Sequence, residues 1–362
     1  MEEVMNALPA TMRGVSLIGH GDVDKLVIRE DIPVPLPGPQ DVLVRVAAAG
    51  INNTDINTRI GWYSKNEGAS EDASWSGQAL SFPRIQGADV CGRIAAVGQE
   101  VSRERVGERV LIEPCIREAE GKVLEHPWYF GSECDGGFAE YTVVADRHAY
   151  KINSKYSDVE LASFPCSYST AENLMTRANV IANEVVLVTG ASGGVGSAAV
   201  QLAKVRGARV IGITNPLKSD RVLRLGAEQT LSRNDSVVQK LGKNSVDVVI
   251  DLVAGKQWPD LLDVLKPFGR YAVAGAIAGP QVELDVRTLY LKDLSLFGCT
   301  VLDECVFKNL IKRIEAEEIS PVVSNTFSLF QVVEAQKQFE KKQHVGKLVI
   351  DLSLGCQLQS KA

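Results

Sequence analysis

Residues 185–196 read VVLVTGASGGVG, an apolar run that passes directly into a glycine-rich turn. Residues 194–205 continue with the small-residue composition of a helix. A strand, a glycine turn and a helix in this order let the backbone approach a pyrophosphate, whose charge is stabilised at the helix N-terminus. The turn therefore predicts dinucleotide binding, with a tight turn that binds nothing as the alternative. The predicted contacts are Ser192, Gly193, Gly194, Val195 and Gly196.

A nucleotide P-loop is the competing phosphate-binding motif. It requires Lys and then Ser or Thr after its last glycine. Here Ser197 and Ala198 follow Gly196, so we reject a P-loop.

The end of the next strand indicates which dinucleotide is bound. NAD-binding proteins need an acidic residue there to accept a hydrogen bond from the ribose 2′-hydroxyl. This chain has Thr214 and Asn215, both of which can donate to a 2′-phosphate. Lys218 and Arg221 add positive charge, although both could also be ordinary solvated charges on a helix. We therefore predict NADPH as the cofactor.

Strand-like and helix-like segments alternate on both sides of this turn. The pattern begins near residue 157 with a helical segment at 158–180 whose start is acidic. Such alternation favours a parallel sheet with helices on both faces. Residues 12–150, in contrast, are rich in strand and turn signals and lack a helical rhythm. The remaining predicted strands are 184–189, 209–214, 246–252, 270–274 and 346–352. Residues 331–341 are predicted to form a helix.

Length and composition set the broad class of the protein. A chain of 362 residues suggests two domains. Thirty-nine Lys and Arg against 45 Asp and Glu give a net charge of −6, and nothing in this balance predicts a nucleic-acid partner. Seven thinly spread cysteines predict no disulfide framework and favour a reducing compartment. The acidic N-terminus and the lack of long apolar runs predict a cytoplasmic protein without a membrane partner.

Several motifs occur in order along the chain, together with the glycine turn. They are GINNTD at 50–55, GWY at 61–63, GADVCGRIAAVG at 87–98, DGGFAEY at 135–141 and HVGKLV at 344–349. With these motifs, residues 12–352 resemble the medium-chain dehydrogenase/reductase superfamily and, within it, the zinc-independent quinone oxidoreductases. The resemblance implies an α/β fold in which a Rossmann parallel-sheet domain, residues 157–316, is inserted into a GroES-like β-rich catalytic domain. That catalytic domain would be formed by residues 1–156 and 317–362, with the active site in the cleft and a homodimer as the assembly.

The same resemblance bears on zinc. Positions that match ligands of the catalytic zinc in alcohol dehydrogenases hold Asn52, Ala88 and Cys166. Only Cys166 and the neighbouring Asp89 could bind a metal, which is too few ligands for a catalytic zinc. The stretch that matches the structural zinc lobe offers only Cys115 and Cys134. We therefore predict a protein without zinc, in which Cys166 is a small buried residue.

A reductase without a Lewis acid favours a conjugated acceptor, which delocalises the negative charge left by hydride transfer. We predict hydride transfer from NADPH to a quinone or an α,β-unsaturated carbonyl compound. The resemblance implies that Asn52 donates to a developing oxyanion or holds the nicotinamide ribose, and that Asp55 positions its neighbours. Tyr63 would hydrogen-bond the substrate oxygen, unless it only packs against residues 64–82. Implied cofactor contacts are Thr170, Ala274, Gly275 and Ala276.

Two segments depart from the short quinone reductases. They are the long loop 64–82 and the insertion 113–132, which carries Trp128, Tyr129 and Phe130. We expect both to border the substrate site. Two other functions stay open from sequence: an alcohol or aldehyde dehydrogenase with an atypical metal site, and a non-catalytic NADPH-binding protein.

Overall fold

The computed structural model describes residues 8–65 and 71–355. Contacts between residues divide the chain into two units. Unit 1 comprises the described parts of Met1–Cys166, Val323–Gln343 and Lys347–Ala362, and unit 2 comprises Ser167–Val322 and His344–Gly346. The predicted domain boundaries, 156/157 and 316/317, lie 10 and 6 residues before these divisions at 166/167 and 322/323. Residues 344–346, placed by the sequence in the β-rich domain, contact unit 2.

The described residues contain eighteen strands and ten α-helices, numbered in chain order. The strands are β1 (Thr11–Leu17), β2 (Leu26–Pro33), β3 (Asp41–Gly50), β4 (Arg84–Ile85), β5 (Asp89–Val97), β6 (Arg109–Ile112), β7 (Cys115–Ala119), β8 (Lys122–Tyr129), β9 (Tyr141–Ala145), β10 (Ala149–Lys151), β11 (Val185–Val188), β12 (Arg209–Thr214), β13 (Gln229–Ser232), β14 (Val246–Asp251), β15 (Leu265–Val273), β16 (Ser295–Gly298), β17 (Val323–Ser328) and β18 (Lys347–Asp351). The helices are α1 (Asn53–Ile60), α2 (Asp158–Leu161), α3 (Pro165–Arg177), α4 (Gly194–Val205), α5 (Ser219–Leu225), α6 (Val237–Leu241), α7 (Trp258–Val264), α8 (Val286–Leu291), α9 (Glu304–Glu315) and α10 (Val332–Glu340).

Unit 2 contains a six-stranded sheet in the order β13-β12-β11-β14-β15-β16. All of its strand pairs are parallel. The central strand β11 is an apolar run because its residues Val186–Val188 are fully buried. The order is that of a doubly wound nucleotide-binding sheet, in which successive strands are added first on one side of β11 and then, from β14 onward, on the other. The predicted parallel sheet is therefore confirmed.

Unit 1 is rich in antiparallel strands. Its largest sheet follows the path β10-β6-β5-β3-β18-β17, with β9 also paired to β3. A three-stranded sheet, β2-β1-β4, and the β7–β8 hairpin complete the unit. The late strand β18 pairs antiparallel with the early strand β3, Val349 opposite Gly50. The chain thus returns to its first unit after unit 2, and the predicted insertion of a parallel-sheet domain into a β-rich domain is confirmed.

Two helix predictions need correction. The helical segment predicted at 158–180 is two helices, α2 and α3, and the second begins at Pro165, where the fixed φ of proline suits a first helical turn. The prediction that residues 12–150 contain no helix was wrong, because α1 begins at Asn53, with two residues between it and the end of β3. This helix has only eight residues and is mostly polar, so it carries little amphipathic signal.

No helix in the described part of the chain combines the length and the apolar character needed to cross a membrane.

Candidate active site

The glycine turn lies between β11 and α4, beside the point where the strand order of unit 2 reverses. Gly190 adopts a left-handed conformation with a φ of 57°, and its carbonyl accepts from the Gly193 N–H at 2.9 Å. A Cβ on Gly196 would overlap the Gly190 carbonyl oxygen, so only glycine allows the helix to start so close to the turn. The first N–H groups of α4 have no acceptor within the helix, and such groups are able to bind an anion. The predicted residues 192–196 therefore form a cradle that fits a pyrophosphate.

Asp251, at the end of β14, fixes the backbone beside this turn. Its buried carboxylate accepts from the Thr189 hydroxyl at 2.6 Å, from the Val253 N–H at 2.9 Å and from the Tyr271 hydroxyl. Its carbonyl accepts from the N–H of Ala274 at 3.1 Å, which places the predicted residues 274–276 at the same edge of the sheet. Thr170 lies half-buried on α3.

Positive charge is concentrated after β12. The Lys218 ammonium donates to the His344 carbonyl at 2.8 Å. Burial lowers the pKa of Lys218, and the guanidinium groups of Arg233 and Arg221 lower it further. In the described part of the chain, neither Arg221 nor Arg233 forms an ion pair with a carboxylate. The sequence reasoning missed Arg233, because it follows β13, a strand that was not predicted.

The polar groups at the end of β12 differ in their partners. The Thr214 hydroxyl is buried and has no hydrogen-bond partner among the described residues. The Arg233 N–H donates to the Thr214 carbonyl at 3.2 Å, so the ends of β12 and β13 lie side by side. The Asn215 side chain accepts from the Leu217 N–H at 3.0 Å and so fixes the short turn that carries Lys218. The Thr214 hydroxyl thus lacks a partner, within the described part of the chain, at the strand end where the sequence predicts a 2′-phosphate.

Unit 1 holds a second polar cluster, centred on Lys347. This ammonium is buried and bonds to Asp89 Oδ2 at 2.8 Å, to the Ile51 carbonyl at 2.7 Å and to Asn52 Oδ1. Three acceptors satisfy all three of its donors. Although it belongs to the motif HVGKLV, no role was predicted for Lys347, because its partners are distant in sequence.

Asn52 is held on both sides of its amide. While Oδ1 accepts from Lys347, Nδ2 donates to Asp89 Oδ2 at 2.9 Å and to the Gly50 carbonyl at 3.3 Å. The Asn52 backbone N–H donates to Asp55 Oδ2 at 2.8 Å, which closes the start of α1. The predicted pair Asn52 and Asp55 thus lies in one network with Asp89 and Lys347.

Asp55 is the buried acid of this cluster. Its second oxygen accepts from the Gly87 N–H at 3.1 Å. Burial raises the pKa of Asp55 to about 7, against the opposing effect of its hydrogen bonds and of the Lys347 charge. Its carboxyl therefore titrates near neutrality.

Tyr63 follows α1 and turns back onto it. Its hydroxyl donates to Thr54 Oγ1 at 3.0 Å. Burial raises the pKa of Tyr63 to about 12, so the phenol stays protonated at neutral pH.

The two segments that depart from the short reductases are joined to each other. The Glu133 carboxylate accepts from the N–H of Ser76 at 2.7 Å and from the N–H of Tyr129 at 2.8 Å. Ser132 Oγ accepts from the Trp75 N–H at 3.2 Å. The rings of Trp75 and Tyr129 lie with centroids 5.0 Å apart and planes inclined by 32°. Residues 66–70 of the predicted loop lie outside the described residues.

This joined segment places a phenol beside Cys166. The Tyr129 hydroxyl lies 3.0 Å from Cys166 Sγ, and both residues pack with Ala88 and Trp75. Burial raises the pKa of Cys166 to about 12 and that of Tyr129 well above its ordinary value. Both groups are therefore neutral near pH 7, and the Cys166 N–H donates to Asp89 Oδ1.

Comparisons with known proteins agree with this geometry. Residues 38–154 match the model of the alcohol dehydrogenase GroES-like domain, and residues 194–316 match that of the zinc-binding dehydrogenase domain. A solved structure from Sinorhizobium meliloti 1021, provisionally named an alcohol dehydrogenase, is 41% identical and has a TM-score of 0.88, over 97% of this chain and 99% of its own. The chain belongs to the medium-chain dehydrogenase/reductase superfamily.

Curated relatives of this superfamily member carry different names. Quinone oxidoreductase of Homo sapiens is 29% identical over 90% of this chain and 93% of its own length. An NAD-dependent alcohol dehydrogenase of Sulfurisphaera tokodaii is also 29% identical, over 94% of this chain and 99% of its own. The chain is therefore an oxidoreductase of the superfamily, which binds a nicotinamide cofactor.

The residues present do not fit the zinc implied by one matching domain description. At the three ligand positions, the Asn52 oxygen is bound to Lys347, Ala88 has no donor atom and Cys166 Sγ lies against the Tyr129 hydroxyl. One neutral thiol with these neighbours is a poor donor set, because zinc binds thiolate and needs three protein ligands.

Proposed function

We propose that this superfamily member is an NADPH-dependent reductase of quinones or α,β-unsaturated carbonyl compounds that works without zinc. The donor set around Asn52, Ala88 and Cys166 carries the proposal, because it lacks the ligands for a Lewis acid. A conjugated acceptor is suited to such a site, since the negative charge that develops on reduction spreads from carbon to oxygen.

The cofactor part of the proposal rests on charge. Lys218, Arg221 and Arg233 would bind the 2′-phosphate of NADPH, with Thr214 and Asn215 as neutral donors. Residues 192–196 would bind the pyrophosphate at the start of α4. Thr170 and residues 274–276 would contact the nicotinamide end. When bound, NADPH supplies the hydride.

The catalytic part of the proposal concerns unit 1. Asn52 and Asp55 would keep the cluster around Lys347 in one arrangement. For Asn52 to donate to a substrate oxygen or a ribose, its amide must exchange its bond to Asp89 or Gly50. Tyr63 has its own acceptor on α1, so it would likewise release Thr54 before it bound a substrate.

Replacement of Thr214 tests the cofactor. Thr214→Asp should weaken NADPH binding roughly tenfold or more relative to NADH, because a carboxylate repels the 2′-phosphate. Thr214→Val is the matched control, since it keeps the shape and removes only the hydroxyl. Dissociation constants for both cofactors, from fluorescence titration, give the ratio. An unchanged ratio in Thr214→Asp would exclude the assigned phosphate site.

Turnover and metal content test the reaction. Purified protein should oxidise NADPH with a quinone or an enone from a panel of acceptors. Stoichiometric zinc together with oxidation of simple alcohols would instead support a dehydrogenase with an atypical metal site. Tight NADPH binding without turnover on any acceptor would support a non-catalytic role.

We further propose a homodimer formed through β16. Among the described residues, this strand pairs with β15 alone. Leu296 on this strand is exposed, and so are three apolar residues of the preceding helix α8: Val286, Tyr290 and Leu291. An unpaired apolar sheet edge is unfavourable in water and is usually covered.

A further inference from the structure

We propose that the Tyr129 hydroxyl acts as the electrophile of this reductase, donating a hydrogen bond to the carbonyl oxygen of the conjugated acceptor. The inference rests on the proposed function and adds a catalytic residue from the insertion 113–132. It assigns to a phenol the charge-stabilising part that a metal ion has in zinc-dependent relatives.

The first argument is position. Ala88 and Cys166 occupy two of the positions that match zinc ligands, and Tyr129 packs with both of them. Its hydroxyl lies 3.0 Å from Cys166 Sγ. Ala88, which ends at Cβ, packs in the same cluster as the phenol. A polar O–H group thus lies beside the residues where the resemblance would place a metal.

The second argument is availability. Within the described residues, Cys166 Sγ is the hydrogen-bond partner of the Tyr129 hydroxyl. Sulfur is a weak acceptor, so the phenol loses little when it turns to a carbonyl oxygen. Tyr63 differs, since its hydroxyl already donates to the oxygen of Thr54 at 3.0 Å. Of these two phenols, Tyr129 therefore exchanges its present hydrogen bond for one to a substrate oxygen at the lower cost in free energy.

The third argument is pre-organisation. The Tyr129 N–H is bound by Glu133, and the next N–H, that of Phe130, donates to the Pro114 carbonyl at 2.8 Å. Tyr129 also pairs with Cys115 in the β7–β8 hairpin. The Trp75 ring packs against the Tyr129 ring, with the planes inclined by 32°, and adds an aromatic surface suited to a planar acceptor. A donor held in this way stabilises charge without reorganising during the reaction.

The chemistry balances as follows. The hydride brings two electrons to an electron-poor carbon of the acceptor, and the conjugated π electrons move onto the carbonyl oxygen. Tyr129 stabilises that oxygen through its O–H and keeps its proton. The proton that completes the neutral product comes from solvent water.

Tyr129→Phe tests the proposal because it removes only the hydroxyl. We expect kcat/KM for the acceptor to fall roughly 10²-fold, mainly in kcat, with the NADPH dissociation constant unchanged. Tyr150→Phe is the matched control, since its hydroxyl faces Glu113, at 3.4 Å, outside this cluster. Equal kcat/KM in Tyr129→Phe and wild type would overturn the assignment.

A spectroscopic readout separates this inference from the proposed function. The conjugated aldehyde 4-(dimethylamino)cinnamaldehyde absorbs at longer wavelength when its carbonyl is polarised. With NADP⁺ present, which cannot supply hydride, we expect a red shift on wild type and on Cys166→Ala, and its loss on Tyr129→Phe. No shift on wild type, or the same shift on Tyr129→Phe, would refute a Tyr129 electrophile. A red shift that depends on Tyr129, without NADPH turnover on any acceptor, would refute the proposed reductase function. It would still support the Tyr129 hydroxyl as the group that polarises the carbonyl.

Discussion

Lys347 and Asp89 are two fully buried residues of opposite charge, 2.8 Å apart. Removing one partner of such a pair leaves the other charge in the interior without compensation. Lys347 also bonds the Ile51 carbonyl and Asn52 Oδ1. It therefore holds together the turn between β3 and α1, from which the candidate catalytic residues extend.

We expect Lys347→Met to lower the free energy of unfolding by about 3–5 kcal/mol. The double variant Lys347→Met with Asp89→Asn should recover much of that loss, because no charge is left buried alone. Urea unfolding of the two variants and of wild type measures both effects. A single variant as stable as wild type, or a double variant no better than the single one, would contradict this account of the cluster.

Asp55 makes stability depend on pH. Because burial raises its pKa to about 7, the folded protein holds a proton that the unfolded carboxyl, with an ordinary pKa near 3.9, releases. The resulting stabilisation is complete below about pH 4 and is lost as the pH rises through 7. Between pH 5 and 8, the unfolding free energy of wild type should fall by roughly 2–3 kcal/mol more than that of Asp55→Asn. Parallel pH curves for the two proteins would show that Asp55 keeps an ordinary pKa.

Sequence motifs identified some residues of the site and not others. Asn52 and Asp55 stand in one short motif and were predicted together. Asp89 and Lys347 reach Asn52 across 37 and 295 residues of sequence, so only the folded sheet brings them there. Arg233 is likewise brought beside Thr214 only by the folded sheet, and β13, the strand before it, lacks a strong apolar pattern.

Among the elements, those with a strong local pattern were predicted best. The bounds of α4 and β12 coincide with the predicted segments 194–205 and 209–214. Helix α1 was missed because long-range contacts hold it. Its buried Arg59 donates to Gln336 at 2.9 Å and to Glu340 at 2.9 Å, both on α10. No local periodicity encodes such a bond.

We expect Glu133 to keep the two joined segments around Trp75 and Tyr129 in one fixed conformation. Glu133→Ala leaves two N–H groups without their acceptor, at a cost of about 1–3 kcal/mol for each that stays buried. Hydrogen exchange of residues 71–80 and 129–134 should become faster than in wild type. Glu125→Ala, at an exposed position on β8, is the matched control. Unchanged exchange in Glu133→Ala would mean that other contacts hold the two segments together.

At the scale of the whole molecule, the proposed dimer through β16 predicts a change of mass. Leu296 is 37% exposed on that strand, and an arginine there would place a charge in the interface. Leu296→Arg should sediment as a monomer where wild type sediments as a dimer. Val123→Arg, at a 76% exposed site on β8, should leave the dimer intact. A monomeric wild type, or a dimeric Leu296→Arg, would move the interface away from β16.

Part of the whole-molecule architecture was predictable because the pattern of strands and helices changes near residue 157. Alternating strands and helices predicted the parallel sheet of unit 2, and the family resemblance implied that the chain returns to unit 1 after it. The points of crossing were less predictable. Pro165 and Cys166 of helix α3 belong to unit 1, and the rest of the helix belongs to unit 2. Residues 344–346 belong to unit 2, although the residues on both sides of them belong to unit 1. Such crossings depend on tertiary contacts that have no composition signal.

The shared carboxylate of Glu133 also sets a rule for recombination between relatives. Because Glu133 follows the insertion 113–132 and accepts an N–H from each segment, either segment transferred into a shorter reductase without Glu133 would lose an acceptor for one of its N–H groups. We therefore expect chimaeras to keep this arrangement when residues 64–82 and 113–133 all come from the same parent.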